Sequence, residues 1–324
     1  MINTDNIYAN SINTDNIYAD DSIMQKGCPA TAGSKILENY IALFDATIIS
    51  RLKEKLNPEN KDKPFNQIKL SEFGLGKTDL PSAPLLCNDV FGHVRCQAVR
   101  QGLCYIRPTY GTVSRFGLIP VASSMDQIGI VCKNPAEGFS LLSVIAGHDE
   151  KDGAMFPEKK YCYKPEKTEI KQSSLPPDDI YADVYKEVLK ILAYAELSGN
   201  LSRYDGIKFG YRTANYKGLD ELYTRTRTEA LGLDAKLAII MGGLLLSNEY
   251  YKKYYEKAMK IRRLIKQKIK FEKNGVISVP VENHAAVLAG LPSLSFSRNG
   301  KNIQLIAEAG NESLLFSAWE ASLE

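Results

Sequence analysis

Around Lys273 the apolar period of the chain changes from helical to alternating, and no other feature constrains the fold as much. Upstream, "DDIYADVYKEVLKILAYAELSG" (178–199) places Val184, Val188, Ile191 and Leu192 on one helical face. Asp stands near its start and Gly at its end, as helix termini favour. "LDAKLAIIMGGLLLS" (233–247) is apolar nearly all round, which predicts a buried helix. Residues 248–273 repeat Tyr251, Tyr254, Tyr255, Ala258, Ile261, Ile265 and Ile269 at helical spacing, predicting an amphipathic helix. Downstream the period is two. "GVISV" reads as a strand, and "LSFSRNGKNIQLIAEAG" sets Asn299-Gly300 between two alternating runs. Both turn residues tolerate positive φ, which marks a hairpin. Helices, isolated strands and a late hairpin predict an α/β architecture: a mixed β-sheet flanked by helices.

The N-terminal half is less regular. "INTDNIYA" occurs at 2–9 and again at 12–19. Two octapeptides are too few for a solenoid and read as a local duplication in a tolerant terminal segment. The expected organisation is a divergent segment at 1–27 and a single domain at 28–324. Within that domain, 34–56 suggests helical turns broken near Asp45, and 57–67 a polar loop with two prolines. Residues 85–106 read as short apolar pieces with turns, and "GLIPVAS" (117–123) as a strand edge. "PAEGFSLLSVIAG" (135–147) predicts a short helix stopped by Gly147. Residues 149–178 are rich in Lys, Glu, Asp and Pro and read as a long surface connection, where a piece of structure has been lost or replaced.

Charge and motif content narrow the function classes. The net charge of +3 does not by itself imply nucleic acid or membrane as a partner. Residues 201–273 nevertheless carry 17 Lys/Arg against 8 Asp/Glu. The helix at 249–273 reads as a solvated face opposite a tyrosine-lined core, or as a contact for an acidic partner. No RNA-binding motif accompanies it. Six cysteines and three histidines are scattered without metal spacing, so no metal or other cofactor is expected. The first residues carry neither a basic nor an apolar leader, and no apolar run reaches membrane-spanning length. The expected placement is cytoplasmic, with no membrane contact. Gly111, Gly117, Gly129 and Gly147 form no phosphate-binding loop, and Ser114, Ser123 and Ser124 lie outside any G-x-S-x-G. In "CNDVFGHVRCQ" (87–97), His93 and Cys96 can meet on one helical turn as base and nucleophile. No third, orienting group is evident for them, and packing is the commoner role for such a pair.

Longer runs follow a fixed pattern: "RPTYGTVSRFGLIPVASSMDQIG" is similar to K-P-T-Y-G-R-V-S-R-[FY]-G-L-x-x-x-A-S-S-L-D-Q-I-G, and "VIAGHDEKD" to V-I-A-G-x-D-x-x-D. With "SGNLSRYDGIKFGYR", "LDELYTRTRTEALG", "YYKKYYEKAMKIRRLIK", "GSKILENY" and "LAGLPSLS", these runs cover about two-thirds of the chain. They resemble the amidase signature family, most closely its branch of A-type aminoacyl-tRNA amidotransferase subunits. The resemblance implies a shortened amidase-like mixed sheet. It also implies a family chemistry in which a Ser attacks an amide, a cis-configured Ser and a Lys move protons, and a Gly-rich loop holds the oxyanion.

The implied site residues are replaced. Counted back from Pro108, the family's G-S-D-T-G-G-S-I-R-Q-P falls on "CNDVFGHVRCQ". Asp89, Gly92 and Arg95 stay in register, His93 takes the place of the nucleophilic Ser, and Val90-Phe91 replace the Thr-Gly of the oxyanion loop. The lysine's K-D-N-I run reads "TDNI", with Thr14 at the lysine's place, or Thr4 in the first copy. The G-G-S-S-G-G-S loop is absent, because "LSEFGLGK" is followed almost directly by "PSAPLLCND". The family's substrate-binding Tyr and Arg fall on Leu189 and Ala238. These replacements imply a pseudoenzyme acting beside amidotransferase subunits: a tRNA-binding B-type, a small C-type or a full-length A-type. Two other readings stay open: an enzyme rewired around His93 and Cys96, and a decaying gene product.

Overall fold

A computed structural model describes residues 16–322, except 57, 60–61, 78, 83, 158–160, 162, 164–168, 174 and 176–183. The expected mixed sheet is present. Its strands are β1 (Tyr18–Asp20), β2 (Asn66–Ile68), β3 (Leu85–Asn88), β4 (Cys104–Arg107), β5 (Ile128–Cys132), β6 (Lys171–Ser173), β7 (Gly275–Pro280), β8 (Ser293–Arg298) and β9 (Lys301–Ala307). They lie in the order β2-β1-β3-β5-β4-β8-β9-β7-β6. β1 runs parallel to β2 and β3, and β6 parallel to β7; the central pairs are antiparallel.

The helices are α1 (Thr47–Leu56), α2 (His93–Arg100), α3 (Pro135–Ile145), α4 (Tyr185–Leu201), α5 (Leu219–Ala230), α6 (Leu233–Leu245), α7 (Glu256–Lys268), α8 (Ala285–Ala289) and α9 (Glu312–Ala321). They cover both faces of the sheet, so its central strands are buried on both sides. Among the described residues, no helix is long and apolar enough to cross a membrane. Alternation assigns the faces of the sheet. The cross-strand row Leu86, Ile130, Ile106, Leu294 and Leu305 packs with Ile48, Ile49 and Leu52 of α1, Phe139 and Leu142 of α3, and Leu315 of α9. The opposite row runs through Leu85, Val131, Tyr105, Ser295 and Gln304, with α2 over its centre. Beside α2, helices α4 to α8 build the larger core with Ile277, Val279 and Ile306.

Local signals produced the elements expected of them. Asn299 (φ 49°) and Gly300 (φ 73°) turn β8 into β9. Asn134 caps α3 by accepting from the Glu137 amide at 3.0 Å, Pro135 opens it, and Gly147 follows its end with φ 133°.

Other expectations need correction. The 117–123 strand edge is irregular loop with one bridge, Ile23 to Leu118; Pro120 has no N–H for a ladder. Part of the polar connection is a strand, since Lys171–Ser173 pairs with β7 at the sheet edge. Residues 85–106 resolve into β3, α2 and β4, and of the turns expected before Asp45 only a 3-10 turn, Lys35–Leu37, forms. Gly199 does not stop α4, which continues to Leu201. Tyr251 and Tyr254 do not line a core; they are exposed on a π-helical turn, Tyr251–Tyr255. The end of the second octapeptide copy lies inside the sheet, where Ile17 and Ala19 are fully buried.

The largest correction concerns α6. It buries Ala235, Ala238, Gly242 and Leu245, yet Leu233, Leu237, Ile240, Met241 and Leu244 are exposed, Ile240 by 68%. A narrow face of small residues lets α6 lie close on α4. A Cβ on Gly242 would sit 2.1 Å from the Tyr194 carbonyl oxygen. Nothing in the chain covers the other side of the helix among the described residues.

Candidate functional site

The end of β3 turns through Asp89–Gly92 into α2, and the turn is held by one carboxylate. Asp89 accepts from the Val94 amide (3.0 Å) and the Arg95 amide (3.3 Å), satisfying two free N–H groups at the start of α2. It also accepts from Arg95 Nη1 at 3.2 Å, in an ion pair whose side chains are both buried. Gly92 has φ 86°, and a Cβ there would lie 2.7 Å from the Arg95 guanidinium. Only glycine fits both the backbone and the neighbour.

Arg95 then reaches across to the segment before α8. Its Nε donates to the Val281 carbonyl (2.9 Å), and Nη2 donates to the Asn283 carbonyl and to His284 Nδ1, both at 3.0 Å. An arginine can only donate, so Nδ1 of His284 is an acceptor and the ring proton sits on Nε2. Burial, and then the nearby charges of Arg95 and Lys186, push the His284 pKa down to about 3. The ring is neutral at physiological pH.

His93 opens α2 and is only partly buried. Its Nδ1 lies 3.0 Å from the Gly74 carbonyl oxygen, which can only accept. Nδ1 therefore carries a proton. Phe91 stacks on the His93 ring at 6.3 Å and tilts against Tyr194 at 6.0 Å. Cys96 Sγ lies 4.0 Å from the Val281 carbonyl oxygen, and burial raises its thiol pKa. This is the opposite of what activates a thiolate.

His93, Cys96, Phe91 and Gly92 share one cleft of about 340 Å³ with Lys77, Arg100, Tyr185, Lys186, Glu282, Asn283 and His284. The structure thus brings His93 and Cys96 together, as their spacing allows. Val90 is buried in the core beside this cleft. Leu189 and Ala238 are core residues and do not line it. Thr14 and Thr4 lie outside the described residues. Ser114 donates to Asp149 (2.6 Å), and Ser124 donates to Glu196 (2.5 Å) while accepting from Arg262 (2.8 Å). These hydroxyls tie loops together, and Ser123 lies apart from the cleft as well. No group of three or more His, Cys, Asp or Glu side chains could hold a metal ion among the described residues.

The segment 106–130 is scaffold for this site. Asp126 accepts from Asn88 Nδ2 (2.7 Å) and from the Val121 and Ala122 amides (3.1 Å each), fixing the end of β3 just before Asp89. Asp149 accepts from Ser114 and Thr47, each at 2.6 Å, and Asp152 grips Arg115 with both oxygens at 2.9 and 2.7 Å. Burial works to raise both carboxyl pKa values, but these hydrogen bonds hold them below the usual range.

Sequence reasoning missed His284, Lys186 and Lys77, which stand alone in unpatterned stretches. It also missed Asp20 at the end of β1. Asp20 is buried, accepts from the Ser22 hydroxyl and, at 3.4 Å, from the Leu70 amide. Burial, then the charge of Asp21, raises its pKa to about 7. The loop that begins at Leu70 carries Gly74, which anchors His93, so Asp20 and His93 flank one short segment.

The sequence profile of the amidase family matches residues 85–176 and 166–307. The chain belongs to the amidase family. An amidase-family relative, the A-type subunit of glutamyl-tRNA(Gln) amidotransferase from Lachnoclostridium phytofermentans, is 33% identical, covering 82% of this chain and 67% of its own. The corresponding protein of Listeria innocua is 30% identical over 401 aligned positions, covering 93% of this chain and 81% of its own. That span exceeds the 324 residues of the chain, so segments of the relative are missing here. The crystal structure of the A-type protein from Thermotoga maritima shares the amidase fold, with a TM-score of 0.59 and 24% identity over 93% of this chain and 81% of that one.

Proposed function

We propose that this amidase-family chain is a non-catalytic relative of the A-type protein of glutamyl-tRNA(Gln) amidotransferase, and that it acts by contact with other amidotransferase subunits. One observation carries the reading. At the position that the resemblance implies for the nucleophile stands His93, an imidazole whose Nδ1–H is committed to the Gly74 carbonyl. An imidazole there has no seryl oxygen to acylate. In the turn before it, Val90-Phe91 stand where the resemblance implies the Thr-Gly of the oxyanion loop.

The lysine is also absent in this reading. Its K-D-N-I run also matches "DDSI" (20–23) at Asp21 and Ile23, a second frame that puts Asp20 where the base belongs. An acid hydrogen-bonded to Ser22 is a different group from a free amine. The single change His93→Ser would therefore not restore the chemistry.

The exposed apolar side of α6 and the basic α7 support a contact role, placed in the cytoplasm as the family resemblance implies. Lys252, Lys253, Lys257 and Lys260 are exposed beside Tyr251 and Tyr254. The test has two arms. The purified chain and its His93→Ser variant are assayed for glutamine and amide hydrolysis, and B-type and C-type amidotransferase subunits are offered in a pull-down. The expected result is no hydrolysis and retention of one of the offered subunits. Hydrolysis by the wild type that is lost in Cys96→Ala would favour a rewired enzyme and overturn the proposal.

A further inference from the structure

The same cleft has a chemical character that contact with other subunits does not use. Lys77, Arg100 and Lys186 approach it from three elements: the loop after Gly74, the last turn of α2 and the first turn of α4. All three side chains are exposed, and none is ion-paired among the described residues. Glu282 is the one carboxylate lining the cleft. Three cations against one anion leave a positive field in a concave site, where charge is focused.

His284 supplies an independent sign of a ligand. It is only 8% exposed, lines the cleft, and has its Nδ1 filled by Arg95. Its proton is thereby held on Nε2, and no hydrogen bond from Nε2 occurs among the described residues. A fixed donor, neutral and nearly enclosed, faces a pocket ringed by cations. The Val94 and Arg95 amides of α2 take no part, because Asp89 already occupies them.

We infer that the cleft between α2, α4 and the 282–284 segment binds a small multivalent oxyanion, a phosphate or a dicarboxylate, held by Lys77, Arg100, Lys186 and the Nε2–H of His284. Three cations on separate elements fit two anionic groups, or one doubly charged group, better than a single carboxylate. The volume suits a molecule of this size. The inference does not depend on partner contact or on the lack of hydrolysis, because it is read by binding to the isolated chain.

The test is calorimetric titration of the full chain with sodium phosphate and with sodium succinate in a zwitterionic buffer of low ionic strength. The same titrations are followed by NMR at the His284 ring. Saturable binding of either probe with a shift of the His284 resonances is expected. Lys186→Gln and Arg100→Gln, both surface changes, should each weaken binding about tenfold. Lys260→Gln on α7 should leave it unchanged. The probe that binds tells phosphate chemistry from carboxylate chemistry. Absence of saturable binding by both probes up to about 10 mM, a range that reaches millimolar affinities, overturns the inference. So does equal weakening by Lys260→Gln, which would mark diffuse attraction.

Discussion

Arg95 Nη2 donates to His284 Nδ1 across 3.0 Å, joining residues 189 positions apart. The same guanidinium holds the Asp89 carboxylate and the Val281 and Asn283 carbonyls. One buried side chain therefore fixes the turn before α2, the segment before α8 and the tautomer of a histidine. Four partners surround it, so the buried ion pair is compensated by hydrogen bonds and is not left as a bare charge pair.

Removing Arg95 should be among the costliest single changes in the chain. Arg95→Met leaves Asp89 charged and buried with no counter-ion, and strips two carbonyls of their donor. A loss of about 3–5 kcal/mol is expected. Urea unfolding measures it. Adding Asp89→Asn to Arg95→Met should recover part of the loss, since the orphaned charge then disappears. A cost below about 1 kcal/mol for Arg95→Met, at the level of an ordinary hydrogen bond, would show that the pair is not structural.

Cys96 should react slowly. Its thiol pKa is raised by burial, with Asp89 and Glu282 adding to the effect and Arg95 opposing it. Alkylation by iodoacetamide at pH 7.5, followed by peptide mapping, should label Cys96 more slowly than a free model thiol. Cys87 and Cys132, fully buried, should stay unlabelled in the native protein. Fast, selective labelling of Cys96 would revive the His93–Cys96 nucleophile.

What could be read from the sequence follows the range of each interaction. The Asn299-Gly300 turn and the Asn134 cap of α3 are decided by residues within four positions, and they are where the local pattern places them. The burial of α6 depends on what lies outside it, and composition cannot say that a neighbour is missing. His284 meets Arg95 only through the tertiary fold that brings the segment before α8 against α2, so no local pattern announces it.

The exposed side of α6 should bind a hydrophobic dye. Leu237, Ile240, Met241 and Leu244 stand at helical spacing on one exposed stripe. Leu237→Glu with Ile240→Lys should abolish most of the dye fluorescence and any self-association seen by light scattering. Stability should change by no more than about 0.5 kcal/mol per site, as is usual for surface positions. A large fall in stability would mean that the stripe is packed in the folded protein.

The pH dependence of stability should divide into two opposing parts. His284 has a native pKa of about 3 against 6.5 for an unhindered ring. The unfolded chain therefore takes the proton first, and this group lowers stability as the pH falls below 6.5. Asp20 has a native pKa of about 7 against 3.8. The native state takes that proton first, so its contribution is full below pH 3.8 and is lost as the pH rises through 7. Between pH 4 and 6.5 each part has a slope of about 1.4 kcal/mol per pH unit, with opposite sign. Asp20→Asn removes the stabilising part, and its stability should fall more steeply on acidification than that of the wild type. His284→Gln removes the destabilising part, and its stability should fall less or rise. Urea unfolding from pH 4 to 7.5 on the three proteins measures the slopes. Parallel curves for all three would show that neither group titrates across the folding transition in this range.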